Sequence, residues 1–203
     1  KRDGDHNDTT LKKGLTSATS IRETLKIGKK NKVKKCVPPF VYKDLTDYPY
    51  LFDKLIMASV MQTTTDKLGK ILDCTEGLEN RIKALSKDNH DLDVLVDKIS
   101  TKRYTSARVR RILIANLLGI DRRLIEDCLE DKLYAKILAV DENSKDLISL
   151  LCENSSIPIL TRKSDALQLK KTAEKCFEID KLANDLYSLV KVEKQNENQM
   201  LII

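Results

Sequence analysis

The chain has 203 residues, 41% of them hydrophobic and 33% charged, with a formal net charge of +6. That length and balance give one or two domains with a real core and exclude a disordered bulk. No run approaches the roughly 20 apolar residues of a membrane span, the polar N-terminus is unlike a signal peptide, and the expected location is the cytoplasm.

Taken in chain order, the first informative segment is Ser17-Ala18-Thr19-Ser20-Ile21-Arg22. Small hydroxyl residues directly ahead of a helix offer caps, and the free N–H groups and dipole of a helix N-terminus attract an anion. Ser17, Thr19 and Ser20 at that end, with Arg22 as a forked cation, make a candidate phosphate site. The plain alternative is an ordinary cap beside a surface arginine. The helix over Ile21 to Ile27 closes at Gly28, and the lysine-rich turn beyond it runs to Pro38-Pro39, where a domain boundary is expected. Such phosphate loops usually follow a strand of an α/β layer, and none precedes this one, so the chain reads as the C-terminal part of something longer.

Helical periodicity then dominates. Tyr50 to Met61 suits a largely buried helix, and Leu68, Ile71 and Leu72 mark a short one. Thr75 is a plausible cap for a helix burying Leu78, Ile82 and Leu85, and Asp91 caps one burying Leu92, Leu95, Val96 and Ile99. Thr105 opens a helix with an inner stripe of Val109, Ile112, Leu113, Asn116 and Leu117 that ends at Gly119. Arg108 and Arg111 share a flank of it, and Arg110 points elsewhere. Beyond Leu118, Ala135 to Val140 and Ile157 to Thr161 read as two parallel strands around a helix near Lys145 to Cys152. Ser164 or Asp165 starts a long helix to about Val190 with a break near Ile179-Asp180, and residues 194–203 read as a tail.

Positive charge is clustered, which favours a polyanion partner more than the net value does. Lys26, Lys29, Lys30, Lys32, Lys34 and Lys35 form one cluster; Lys102, Arg103, Arg108, Arg110 and Arg111 form another with no acid between them. Tryptophan is absent and aromatics are 4%, which argues against a stacking platform for single strands. The five cysteines, Cys36, Cys74, Cys128, Cys152 and Cys176, are widely spaced with no C-x-x-C pair and read as reduced, mostly buried thiols. With only His6 and His90 beside them, no metal site is indicated.

Four further segments turn this pattern into a family resemblance. Ser17 to Arg22 fits an S-A-T-S-I-R phosphate motif without mismatch. Arg2, Gly4 and Asp8 fit R-x-G-x-x-Y-H/N-D, with His6 and Asn7 at its aromatic and His/Asn places. Glu76-Gly77-Leu78-Glu79-Asn80-Arg81-Ile82, Thr101 to Arg111 and Asp185-Leu186-Tyr187-Ser188-Leu189 match E-G-L-E-N-R-I, T-K-R-Y-T-x-A-R-I-x-R and D-I-Y-S-L in the same order. On these residues the chain resembles the C-terminal half of the bacterial tRNA(Met) cytidine acetate ligases, relatives of the nucleotidyltransferases with an H-x-G-H signature.

The resemblance implies a mainly α fold with a small α/β element. Residues 1–40 would be the C-terminal edge of a truncated Rossmann-like nucleotidyltransferase domain, followed by a helical domain over 41–193. It implies ATP, with acetate as co-substrate and magnesium optional, and tRNA(Met) as partner together with a missing N-terminal domain. The parent reaction would activate acetate as acetyl-adenylate and acetylate N4 of the wobble cytidine. Ser17, Thr19, Ser20 and Arg22 would then hold phosphates, and Lys29, Lys30, Lys102, Arg103, Arg108, Arg110 and Arg111 would bind tRNA. Glu76, Glu79 and Arg81 read as structural charges. No H-x-G-H occurs in the sequence, so these residues alone are expected not to form acetyl-adenylate, and no residue is offered as catalytic. The runner-up is a non-catalytic RNA-binding helical module. A pantetheine-phosphate or nicotinamide-nucleotide adenylyltransferase relative shares the phosphate motif but does not predict the segment Arg103 to Arg111.

Overall fold

In a computed structural model, the described residues are 10–11, 16–45, 50–190 and 200–202. They are mostly helical with a little parallel sheet, the class the sequence predicts. The chain divides into two units, Lys1–Tyr50 and Leu51–Ile203.

The first unit carries α1 (Ala18–Lys26), α2 (Lys30–Val33) and α3 (Pro39–Asp44). Ser17 is the cap of α1, its Oγ accepting the Ser20 N–H at 3.0 Å. The helix stops where expected, with Gly28 at φ +69° just past it. Val33 of α2 is fully buried. The two prolines end the lysine-rich turn, but Pro39 also opens α3 at its first position, where a missing N–H is harmless.

The core of the second unit is built by α4 (Tyr50–Gln62), α5 (Thr65–Gly69), α6 (Leu78–Ser86), α7 (Leu92–Ile99) and α8 (Ser106–Leu118). Leu78 and Ile82 meet Leu92, Leu95, Val96 and Ile99, and Val109, Ile112 and Leu113 close the cluster from α8. These are the stripes that i, i+3, i+4 spacing predicts, because each short helix has one apolar face and must share it. α4 differs from expectation. It buries Ile56, Met57 and Val60 while Leu51 and Met61 are exposed, so it lies against the core by one face. Asp91 and Thr105 cap α7 and α8 as read. Thr75 caps nothing: α6 starts after Gly77 in the left-handed region, with no side-chain cap.

A helix that the periodicity left unread, α9 (Arg122–Glu130), follows, capped by Asp121 through the Leu124 N–H at 2.8 Å. It buries only Leu124. The strand run 135–140 forms two pieces, β1 (Ala135–Lys136) and β2 (Ala139–Val140), and after α10 (Asp146–Asn154) comes β3 (Ile159–Leu160). β1 and β3 pair in parallel with Ala135 opposite Ile159, the expected β-α-β order. β2 pairs in parallel with β4 (Leu201–Ile202), and the Met200 N–H reaches Thr161 O at 3.0 Å. The end of the presumed tail therefore contributes a strand; residues 191–199 and 203 lie outside the described set.

The long helix α11 (Lys171–Val190) runs through Ile179-Asp180 without a break. The interruption lies upstream, where Asp165 Oδ2 accepts the N–H groups of Thr161 and Arg162 and the Thr161 hydroxyl and fixes a 3-10 turn over Lys163–Gln168. Leu169 after that turn packs with Leu160 and Ala173, against Tyr134 and Phe177.

Candidate functional site

The phosphate candidate of the first unit is a tightly bonded turn. Ser20 is fully buried; its hydroxyl donates to Ser17 O at 2.8 Å and meets Thr16 Oγ1 at 2.7 Å. Thr24 extends the ladder by donating to Ser20 O at 2.8 Å. Ser20 thus supports the turn from inside, while Ser17 and Thr19 are half-buried at the dipole-positive end of α1 and Arg22 is exposed one turn further on. Of the lysines read with this segment, Lys29 is exposed. Lys30 donates to Leu45 O and lies 5.4 Å from the Tyr42 ring centroid. Arg2, His6, Asn7 and Asp8 lie outside the described residues.

In the second unit the basic segment and the E-G-L-E-N-R-I segment come together around the connection between α5 and α6. Asp73 and Glu76 hold φ of +66° and +64° without being glycine, a conformation that costs of order 1–3 kcal/mol each unless neighbours enforce it. Arg108 is one such neighbour: its Nε donates to Asp73 O at 2.9 Å, and its Nη2 reaches the same carbonyl and Thr75 Oγ1. Tyr104 donates from its hydroxyl to Glu76 O at 3.3 Å, and its ring lies 5.3 Å from the Arg108 guanidinium and 5.9 Å from that of Arg103. Arg103 pairs with the Glu76 carboxylate, which raises its pKa further, first through that hydrogen bond and then through charge. Arg111 stands 3.8 Å from Asp73 Oδ2. Lys102 is exposed.

Arg110 leaves this group, as its helical position requires, and binds Asp93 near the start of α7 at 2.6 Å. The flank predicted for Arg108 and Arg111 is therefore real. The acids missing from the segment itself are supplied by the fold. Sequence reasoning missed the parts played by the Asp73 carbonyl and Thr75; two non-glycine residues in a left-handed turn leave no mark in composition. Arg81 has the structural role read for it, donating from Nε to Ile99 O at 3.1 Å and from Nη2 to Lys98 O at 2.6 Å at the C-terminal end of α7, where a cation is favoured. Lys83 does the same for α4, reaching Val60 O and Met61 O at 3.0 Å each.

The cysteines depart from the expectation of burial. Cys74 alone is buried; Cys36, Cys128 and Cys176 are intermediate and Cys152 is exposed. Cys128 and Cys176 face each other with 3.4 Å between sulfurs. No helix among the described residues is long and apolar enough to cross a membrane.

A family model described as HIGH Nucleotidyl Transferase matches residues 1–200. The chain belongs to this family. Among curated relatives, it is 30% identical to the tRNA(Met) cytidine acetate ligase of Alkaliphilus metalliredigens over 196 residues, covering 91% of this chain and 46% of that protein. It is 34% identical to the enzyme of that name from Thermoanaerobacter sp. over 122 residues, 60% of this chain and 30% of that one. The chain spans about half the length of the longest-matching of these relatives. Its fold is that of Thermotoga maritima TmcAL: the apo crystal structure matches with a TM-score of 0.84 at 19% identity over 98% of this chain and 54% of that one. A second TmcAL structure, bound with alpha-thio ATP, matches at 0.78 over 93% and 53%.

Proposed function

We propose that this HIGH nucleotidyl transferase chain serves in the ATP-dependent acetylation of cytidine in tRNA(Met), contributing part of the ATP phosphate site and a tRNA-binding surface. The carrying observation is the N-terminus of α1, capped by Ser17 with Arg22 exposed one turn on, within a chain whose relatives bear the ligase name. Adenylation expels pyrophosphate, and a helix N-terminus with a guanidinium beside it stabilises charge growing on those leaving oxygens. In this reading Ser17, Thr19 and Arg22 face the phosphates, and Ser20 keeps the turn in shape from within. Magnesium would share the phosphate charge. Acetate is the acyl donor by analogy with the relatives. The segment 101–111 binds tRNA through phosphates and shape.

The histidine pair of the H-x-G-H signature is not among these 203 residues, and no pyrophosphate release from ATP and acetate is expected of them alone. ATP titration tests the phosphate site: Arg22→Ala should weaken binding roughly tenfold or more, the worth of one charge-assisted hydrogen bond, and unchanged affinity would refute it. The second reading, a helical RNA-binding module without a nucleotide, is supported by the self-contained core of the second unit. It predicts salt-sensitive tRNA binding and indifference of the chain to ATP.

A further inference from the structure

We infer that the tRNA-facing surface of the second unit is centred on the 73–77 turn, with Lys102, Arg103 and Arg111 meeting phosphates and Arg108 acting as the positioning residue that holds the turn. The inference rests on the tRNA reading above and deepens it by dividing the basic segment according to what each cation already does.

Arg108 is half-buried and one edge of its guanidinium is spent on the turn: Nε and Nη2 on Asp73 O, and Nη2 also on Thr75 Oγ1 at 3.2 Å. The Nε–Nη2 edge is thereby committed to the turn, which makes holding the turn the first task of this guanidinium. It is also the side chain suited to the task, because one planar fork presents donors in a fixed geometry to a carbonyl and a neighbouring hydroxyl together. Between those two acceptors lies Cys74, 2% exposed, so the Arg108 contacts flank a buried thiol. Asp73 and Glu76 keep their left-handed backbone under these contacts and the Tyr104 hydroxyl bond.

Arg103 and Arg111 differ in kind. Their side chains are 64% and 67% exposed, and their partners, Glu76 and Asp73, are themselves 45% and 52% exposed. Exposed pairs of this sort are weak and exchange readily for a stronger anion. Both sit on the rim of the same turn, and Lys102 adjoins Arg103 in sequence. Arg110 is bound to Asp93 on another face and falls outside the surface.

Two measurements on the full chain test the division. The first follows alkylation of Cys74 by a maleimide, mapped by mass spectrometry. Rates are compared per thiolate, from their pH dependence in each variant, because loss of the Arg108 charge by itself raises the Cys74 pKa. On that scale Arg108→Gln should speed modification of Cys74 at least tenfold, Arg108→Lys should do so partially, and Arg111→Gln should leave it protected. Continued protection of Cys74 in Arg108→Gln would overturn the positioning role. The second measures binding of a tRNA(Met) transcript by anisotropy across salt concentrations. Lys102→Gln and Arg111→Gln should each lower the slope of log affinity against log salt by about 0.7–0.9, the signature of one lost phosphate contact. Arg108→Lys should weaken binding with the slope unchanged, and Arg110→Gln should alter neither. A slope loss for Arg108→Lys equal to that of Arg111→Gln, or a loss for Arg110→Gln, overturns the inference while the tRNA reading stands. Absence of tRNA binding by the unaltered chain overturns that reading itself.

Discussion

At the scale of single residues, burial and hydrogen bonding decide which groups react. Burial, reinforced by the Glu79 charge and opposed by Arg108, pushes the Cys74 thiol up to about 11; burial, followed by the hydrogen bond and charge of Cys128, does the same for Cys176, again to about 11. Only the thiolate attacks an alkylating agent. At neutral pH, therefore, exposed Cys152 should be modified at least tenfold faster than Cys74 or Cys176, as time-resolved peptide mapping would read. The spread was not legible in a list of five spaced cysteines. Asp165 shows the opposite effect: backbone hydrogen bonds, that from Thr161 first, hold its carboxyl below the ordinary value of 3.8. A depressed folded pKa gives stability that is present above the unfolded value and is lost as pH falls through the folded one. Asp165→Asn should accordingly flatten the acid limb of stability below that ordinary value. A pH series of urea melts comparing the two proteins checks the sign.

At the scale of elements, caps and periodicity made most of the helices readable. Asp91 and Thr105 each accept a first-turn N–H where the sequence places a helix start, and Ser17 does so ahead of the expected start at Ile21, since α1 begins at Ala18. Gly119 ends α8 at φ +70°, a conformation that disfavours a side chain. Thr105→Ala should lower stability by about 1 kcal/mol, visible as a shifted urea midpoint with unchanged slope. α9 was equally open to reading, from its Asp121 cap and its segregated apolar and charged residues. α6 was misassigned a cap because it starts later than expected: its N-cap is Gly77, and Thr75 serves Arg108 instead. The β1–β3 pairing was legible from the alternation of strand, helix and strand. The β4 strand was not, since its two residues pair with β2 from far along the chain.

At the scale of the whole molecule, stability should concentrate in the joined stripes of α4 to α8. Leu95, fully buried there, should cost about 2–5 kcal/mol when cut to alanine. Leu150 on α10 is 57% exposed, and Leu150→Ala should stay within about 0.5 kcal/mol; equal losses in thermal or urea melts would contradict this layout. The phosphate candidate was legible as a motif, and so was the shared flank of Arg108 and Arg111. Their division of labour was not. The sequence by itself determined where helices start and stop and which faces turn inward, because caps and apolar spacing act within a few residues. Only the tertiary structure decided which cations are engaged, because Asp93, Glu76 and the Asp73 carbonyl reach their arginines from 17 to 35 residues away, a separation that folding alone closes.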